Sequence, residues 1–279
     1  MNEPVNPKPE AQGLVAVPTG TTASVRSVAK GEGQRIGLKP ETARDYLPIL
    51  SNRYRAKSGD GKVIPSAFEF INNSMGGWRT GLHLLAGEPG SGKTAFALFN
   101  AAVAAEAGFP VLYLSFDVQS EFLTLKLLCQ QENLNCRDVM DGSVDPAALK
   151  AAMTAQEDTF SRVTLVEADP ELSNEKAEEM ARRLIMDSDH DRALVIVDYL
   201  QIWAAGSRQF SEFRHEIAKM MTAMRRLAIS LDSPVLAISS QNRAHQGEAV
   251  LQSLEGTSDL EYSADSIAFL VNVERPASQ

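Results

Sequence analysis

Short apolar segments alternate with segments of helical periodicity over most of this chain. From Lys62 onward, some runs are apolar throughout, whereas in others the apolar residues recur once per helical turn. The first pattern is typical of strands buried on both faces, and the second is typical of helices that bury one face. Their alternation predicts an α/β fold in which a mostly parallel sheet carries helices on both faces.

The pattern also gives approximate bounds for the elements. The predicted strands are Leu82–Ala86, Pro110–Phe116, Val163–Glu167, Ala193–Val197, Pro234–Ser239 and Ser266–Val273. The predicted helices are Thr94–Ala107, Ser120–Glu132, Glu175–Asp187 and Phe213–Leu231. Between Glu132 and Val163 the sequence predicts a looser acidic region.

The N-terminal part has a different character. Residues 1–38 are rich in Pro, Gly, Ser, Thr and Ala and have no sustained apolar period, which predicts a flexible tail. Residues 39–61 are predicted to form a linker, with a short helix between Pro40 and Ala56. The folded domain is then expected to span residues 62–279.

The charge of the chain limits how it could bind nucleic acid. The formal net charge is −9, but residues 1–57 hold nine Lys/Arg and five Asp/Glu, which is +4 and leaves −13 for the rest. A broad basic face that coats DNA or RNA is therefore excluded, and nucleic acid could bind only through a few loops or the N-terminal arm.

The location of the protein is predicted from what the sequence lacks. It has no apolar run long enough to span a membrane and no signal-peptide pattern at its start, so we expect a cytoplasmic protein without membrane contact. Its two cysteines, Cys129 and Cys136, are predicted to be buried or half-buried thiols on one helix face rather than a disulfide or a metal pair.

One segment matches the phosphate-loop consensus G-x-x-x-x-G-K-[ST] at every fixed position. Its residues are Gly87, Glu88, Pro89, Gly90, Ser91, Gly92, Lys93 and Thr94. Glycines let the backbone wrap closely enough for its N–H groups to point at phosphates, and the following helix adds its positive end. Lys93 would contact the transferred phosphate and the Thr94 hydroxyl would ligate Mg²⁺. Because the segment lies between a strand and a helix, an ATP·Mg²⁺ site is favoured over an ordinary glycine turn.

A second acid is needed to hold the cation. Asp198 follows four apolar residues, Leu194–Val197, and would emerge at the carboxyl end of a buried strand, where ligands bind in open α/β sheets. Asp198 is therefore predicted to be a catalytic Mg²⁺ ligand, directly or through water, rather than only the cap of the next segment.

Two further positions are candidates with open alternatives. Asp117 ends the strand that begins near Val111 and could be the base that orients the attacking water, or a capping residue. Ser240 and Gln241 end a later strand and could contact the γ-phosphate, or they could be plain turn residues.

Several segments together resemble the ATPase domain of DnaB-type replicative helicases. They cover about residues 64–272 in the order found in that family, and Asp198 begins a stretch similar to its Walker B motif. The segments are Gly76–Gly81 (GGWRTG), the phosphate loop, Leu112–Val118 (LYLSFDV), Asp198–Ile202 (DYLQI), Ser239–Arg243 (SSQNR) and Leu254–Asp265, which contains LEYSAD.

The resemblance implies a RecA-like P-loop NTPase fold and a homo-oligomer, either a ring or a helical assembly, with ATP at subunit boundaries. It also implies single-stranded DNA in a central channel, contacted by loops at about 204–211 and 241–259. Arg208, Arg243 and His245 are the basic residues of those loops, and the alternative for each is a solvated loop charge. The linker helix would pack on a neighbouring subunit, or on its own domain.

The sequence also departs from the family. The family has Glu where Asp117 stands, and its sensor Gln falls on Ser240, with Gln241 displaced by one position. The large helical N-terminal domain of the family is not matched, and the chain stops at Gln279, where the family continues into strands with an arginine finger. We therefore expect ATP binding with slow turnover by this chain alone.

Two functions from different classes follow. The first is a DNA helicase or DNA-dependent ATPase motor in DNA replication. The second is a regulatory or loader-like ATPase switch with slow turnover and no unwinding, which the substitution at Asp117 and the acidic charge favour. A third hypothesis is a clock- or repair-type relative of RecA, which the D-Y-L-Q segment disfavours.

Overall fold

A computed structural model describes part of the chain. The described residues are 14–18, 43–46, 63–206, 213–241 and 263–271. The chain divides into two compact units, one made of Met1–Thr19 and Ile64–Gln279 and the other of Gly20–Val63. Within the second unit, the structure describes a single 3-10 turn, Ala43–Tyr46, and the rest of the predicted linker helix lies outside the described residues.

The first unit is built on one seven-stranded sheet with the order β1-β7-β2-β6-β5-β3-β4. The strands β2 to β7 run parallel to their neighbours, and only β1 at the edge is antiparallel, to β7. The strands are β1 Leu14–Pro18, β2 Gly81–Gly87, β3 Val111–Ser115, β4 Val163–Glu167, β5 Leu194–Asp198, β6 Pro234–Ser240 and β7 Ser266–Leu270. The predicted α/β fold is confirmed.

Helices cover both faces of this sheet. They are α1 Glu69–Met75, α2 Lys93–Glu106, α3 Ser120–Gln131, α4 Cys136–Met140, α5 Pro146–Ser161, α6 Asn174–Met186, α7 Leu200–Gly206 and α8 Phe213–Leu231. Every residue of β2, β3 and β5 is buried, because side chains on alternate positions enter two separate cores. In β3, for example, Leu112 and Leu114 face one core, whereas Val111 and Tyr113 face the other.

A buried amide fastens the start of the domain to α2. The Asn100 side chain accepts hydrogen bonds from Ser66 Oγ (2.8 Å), the Ala67 backbone N–H (3.1 Å) and Trp78 Nε1 (2.8 Å). It also donates from Nδ2 to the Phe96 carbonyl oxygen at 2.8 Å. Asn100 thus ties the segment before β2 to the helix that follows the phosphate loop.

Most of the predicted elements are confirmed to within two residues at each end. The predicted loose acidic region between Glu132 and Val163 was wrong, because α4 and α5 lie there. A side-chain cap stands at the start of each helix. The Asn135 side chain accepts from the Arg137 N–H, and the side chain of Asp145, which directly precedes Pro146, accepts from the Ala148 N–H.

The start of the chain contains a strand that the sequence pattern did not predict. Residues Leu14–Pro18 form β1 within the predicted tail and pair with β7 in the register Ala16↔Ala268.

No helix in the described ranges is long and apolar enough to cross a membrane.

The two cysteines lie on successive helices, so their predicted placement on one helix face was wrong. Cys129 is buried near the end of α3, whereas Cys136 is half-buried and begins α4. The chain turns between them at Asn133, whose φ is 52°, and the Leu134 N–H bonds to the Cys129 carbonyl oxygen. Burial raises the pKa of the Cys129 thiol to about 12. Both cysteines are free thiols.

Candidate nucleotide-binding site

The predicted site residues gather at the carboxyl edge of the sheet. The strands β2, β6, β5 and β3 are neighbours in that order, so the segments that follow them lie side by side. The phosphate-loop segment begins at the last residue of β2, Asp198 ends β5, Asp117 follows β3, Ser240 ends β6 and Gln241 comes directly after it. This edge is where parallel sheets bind ligands.

Glycine is required at both ends of the loop. A Cβ atom on Gly87 would lie 2.8 Å from the Leu270 carbonyl oxygen, a backbone atom, and 2.6 Å from Ser91 Oγ, so a side chain there would displace the backbone. Gly92, the residue before α2, has a φ of 94°, in the left-handed region that other residues rarely adopt. The loop therefore turns tightly from β2 into the N-terminus of α2, as a phosphate cradle requires.

Lys93 lies over this loop. Its Nζ donates hydrogen bonds to the carbonyl oxygens of Gly87 (2.8 Å) and Glu88 (2.6 Å). Burial lowers the pKa of Lys93, and the negative charges of Asp198 and Glu88 oppose that shift. The structure thus places a partly buried ammonium group on the loop, where it could exchange its carbonyl partners for phosphate oxygens.

Asp198 joins the loop to the sheet. Its Oδ2 atom accepts hydrogen bonds from Thr94 Oγ1 (2.9 Å) and from the Tyr113 hydroxyl (2.7 Å). Asp198 is only 4% exposed, and this burial raises the pKa of its carboxyl, while the two hydroxyl groups lower it. A carboxylate beside a hydroxyl at the end of a phosphate loop supplies the hard oxygen ligands that Mg²⁺ prefers, so these residues fit the predicted cation.

Asp117 is close to Asp198 but exposed to solvent. Its negative charge contributes to the raised pKa of Asp198. The turn that carries it is held by Ser115, whose hydroxyl donates to the Val118 carbonyl oxygen (2.6 Å) and accepts from the Val118 N–H (3.1 Å). The N-cap of α3 is Gln119, so the alternative that Asp117 caps this helix was wrong.

The end of β6 lies against the phosphate loop. Ser240 is opposite Gly87 in the register, and the Gln241 N–H donates to the Gly87 carbonyl oxygen at 3.2 Å. Gln201 of α7 supports this strand end, since its Nε2 donates to Ser239 Oγ (2.9 Å) and its Oε1 accepts from the Ser240 N–H (3.3 Å). The two candidate γ-phosphate residues are thereby brought beside the loop.

Two residues of the site were not predicted. In the sequence, Tyr113 is one more residue of an apolar strand. The feature that could have pointed to its role is its phenol hydroxyl, which needs a hydrogen-bond partner when it is buried. Gln201 lies in the D-Y-L-Q segment, but that pattern predicts no separate role for it. The predicted DNA contacts Arg208, Arg243 and His245 lie outside the described residues.

Comparison with known proteins gives a consistent result. The sequence model of the family described as "DnaB-like helicase C terminal domain" matches residues 63–278. The replicative DNA helicase DnaB of Geobacillus stearothermophilus is 25% identical over 234 residues, which cover 81% of this chain and 50% of that protein. The DnaB of Rhodothermus marinus is 32% identical over 186 residues, 65% of this chain and 19% of that protein. This chain therefore spans about half the length of the Geobacillus stearothermophilus protein and a smaller part of the Rhodothermus marinus protein.

Solved structures agree on the fold. The ATPase domain of G40P superimposes with a TM-score of 0.71 at 20% identity, covering 83% of this chain and 84% of that one. A DnaB-like replicative helicase, described together with its interactions with primase, gives a TM-score of 0.70 at 20% identity, covering 83% of this chain and 57% of the other. The fold is therefore RecA-like, and the chain belongs to the family of DnaB-like helicase C-terminal domains.

Proposed function

We propose that this chain binds and hydrolyses ATP with Mg²⁺ and acts as a DNA-dependent motor domain in DNA replication. The observation that carries the proposal is the contact between Thr94 and Asp198, which joins the phosphate loop to the acid at the end of β5. That pairing of a loop hydroxyl with a strand-end carboxylate is the arrangement a P-loop ATPase uses to hold its cation.

Each residue of the site has a proposed task. The loop N–H groups and Lys93 hold the β- and γ-phosphates, and Thr94 and Asp198 hold the cation. Mg²⁺, when bound, would offset the negative charge that develops on the phosphate oxygens. Asp117 is exposed and close to Asp198, and it would orient the attacking water and accept its proton.

Nucleic acid and oligomer contacts are part of the same proposal. The relatives named above are replicative DNA helicases, and for this chain we propose single-stranded DNA as the nucleic acid and a ring or helical homo-oligomer as the assembly. Ser240 lies opposite Gly87 in the register of β2 and β6, and Arg243 and His245 follow shortly after it in the sequence. That connection would link ATP hydrolysis to DNA contacts by these residues and by Arg208. The proposal places the protein in the cytoplasm.

A regulatory switch is the alternative function. Asp117 is one methylene shorter than the glutamate that the resemblance leads us to expect, so it would reach less far toward a water on the γ-phosphate. Slow turnover with tight ATP binding would follow. Duplex DNA with a single-stranded tail separates the alternatives, because a motor unwinds it with ATP and a switch does not.

The proposal is tested by the ATP hydrolysis rate of the whole chain with Mg²⁺, with and without a single-stranded oligonucleotide. We expect the oligonucleotide to raise the rate, and Asp117→Asn to lower it about 100-fold while ATP still binds. Asp189→Asn, an exposed acid far along the chain, is the matched control and should change neither quantity. Tight ATP binding without DNA-stimulated hydrolysis would overturn the motor in favour of the switch, and absence of ATP binding would overturn both.

A further inference from the structure

The most informative residue outside the predicted site is Tyr113. It lies in the middle of β3, its side chain is completely buried, and its hydroxyl donates to Asp198 Oδ2 at 2.7 Å. In the register of β3 and β5, Tyr113 is opposite Ile196 and Ser115 is opposite Asp198. The phenol therefore reaches Asp198 along the diagonal of the sheet, a distance that an aromatic side chain spans.

The two hydroxyl groups that hold Asp198 come from different elements. Thr94 is in the first turn of α2, and Tyr113 is in β3, yet both donate to the same carboxylate oxygen, Oδ2. Among the residues that the structure describes, no hydrogen bond reaches Oδ1. The carboxylate is thus fixed through one oxygen, and its other oxygen is left for a cation or for water on a cation.

We propose that Tyr113 is a positioning residue for Mg²⁺, acting through Asp198. Without the phenol, the carboxylate would be held by Thr94 alone and could rotate, so that Oδ1 would no longer be kept in one direction. Hydrogen-bond partners of metal ligands commonly contribute in this way to metal affinity. The inference rests on the proposed ATP·Mg²⁺ site, and it gives a role to a residue of the Leu112–Val118 segment to which the sequence assigned none.

The test is the Mg²⁺ concentration needed for half-maximal binding of a fluorescent N-methylanthraniloyl ATP analogue. Tyr113→Phe removes only the hydroxyl, and we expect it to raise that concentration about 10- to 100-fold. Binding of the analogue in EDTA should not change, because the phosphate loop is intact. Val111→Ala is the matched control, since Val111 lies in the same strand and core and is opposite Leu194 rather than Asp198 in the register. It should keep the wild-type Mg²⁺ dependence.

A double-mutant cycle with Asp198→Asn separates positioning from general packing. If Tyr113 acts through Asp198, Tyr113→Phe should have no further effect on Mg²⁺ dependence in the Asp198→Asn background. Thermal unfolding checks that each variant folds, and Tyr113→Leu replaces Tyr113→Phe if the latter does not. Wild-type Mg²⁺ dependence in the hydroxyl-free variant, or an effect that persists beside Asp198→Asn, would overturn the inference alone. Failure of the wild-type chain to bind the analogue would overturn the proposed function itself.

Discussion

At the scale of single residues, the site combines binding chemistry with a cost in stability. Asp198 is almost completely buried, and burial raises the pKa of its carboxyl above the ordinary value. A raised pKa means that the folded state binds a proton more tightly than the unfolded state does. Ionised Asp198 therefore lowers the free energy of unfolding at neutral pH, and this penalty disappears below the ordinary carboxyl pKa, because Asp198 is then protonated in both states.

We therefore predict that Asp198→Asn raises the free energy of unfolding of the nucleotide-free protein at neutral pH, by on the order of 1 kcal/mol. The gain should shrink as the pH falls through the raised pKa of Asp198 and should vanish below pH ~4, the ordinary pKa of an aspartate. Urea unfolding of both proteins across this pH range is the measurement, with Asp189→Asn as an exposed control. A neutral-pH loss of stability in Asp198→Asn would count against a buried, ionised Asp198.

The sequence could predict some site residues and not others for a physical reason. Lys93 and Thr94 lie at fixed positions of a loop whose geometry is local, and Asp198 follows a buried strand directly. Tyr113 and Gln201 act through partners that are 85 and 38 residues away in the chain. Only the pairing of strands brings these partners together, so their roles become visible once the sheet order is known.

At the scale of elements, the phosphate loop depends on the helix that follows it. The phosphate loop leads directly into the first turn of α2. In the middle of α2, Asn100 accepts hydrogen bonds from Ala67 and Trp78, which lie in the segment before β2. This network is buried, so each of its donors would be costly to leave unpaired.

Asn100→Ala should lower the free energy of unfolding by about 2–4 kcal/mol, because it leaves the Ala67 N–H and Trp78 Nε1 without their buried acceptor. Urea unfolding followed by tryptophan fluorescence measures the loss. Gln119→Ala removes an exposed amide that makes no capping hydrogen bond, and it should change stability by less than about 0.5 kcal/mol. Equal losses of unfolding free energy in the two variants would show that the hydrogen bonds of Asn100 do not stabilise the fold.

Element prediction succeeded where burial alone dictates the structure. The strands β2, β3 and β5 are apolar throughout because both their faces are covered, and such runs are easy to recognise. The strand β1 was missed because it forms through pairing with β7, more than 200 residues along the chain, rather than through a pattern of its own. The helices α4 and α5 were missed because few of their residues are buried.

At the scale of the whole molecule, the order of strands creates the site. Because β6 lies between β2 and β5, and β3 lies beyond β5, four segments far apart in sequence meet at one edge of the sheet. The family and the RecA-like fold followed from motifs in the right order, and both are confirmed by the family match at residues 63–278 and by the solved structures.

The central claim is that this edge binds ATP through the phosphate loop, and calorimetric titration of ATP with Mg²⁺ tests it most directly. Lys93→Ala removes the ammonium that lies on the loop and should weaken binding about 10- to 100-fold, the loss typical of a hydrogen bond to a charged group. Lys150→Ala, an exposed lysine in α5, should bind as the wild type does. Equal affinity of the wild-type and Lys93→Ala proteins for ATP, or no binding by either, would contradict the account.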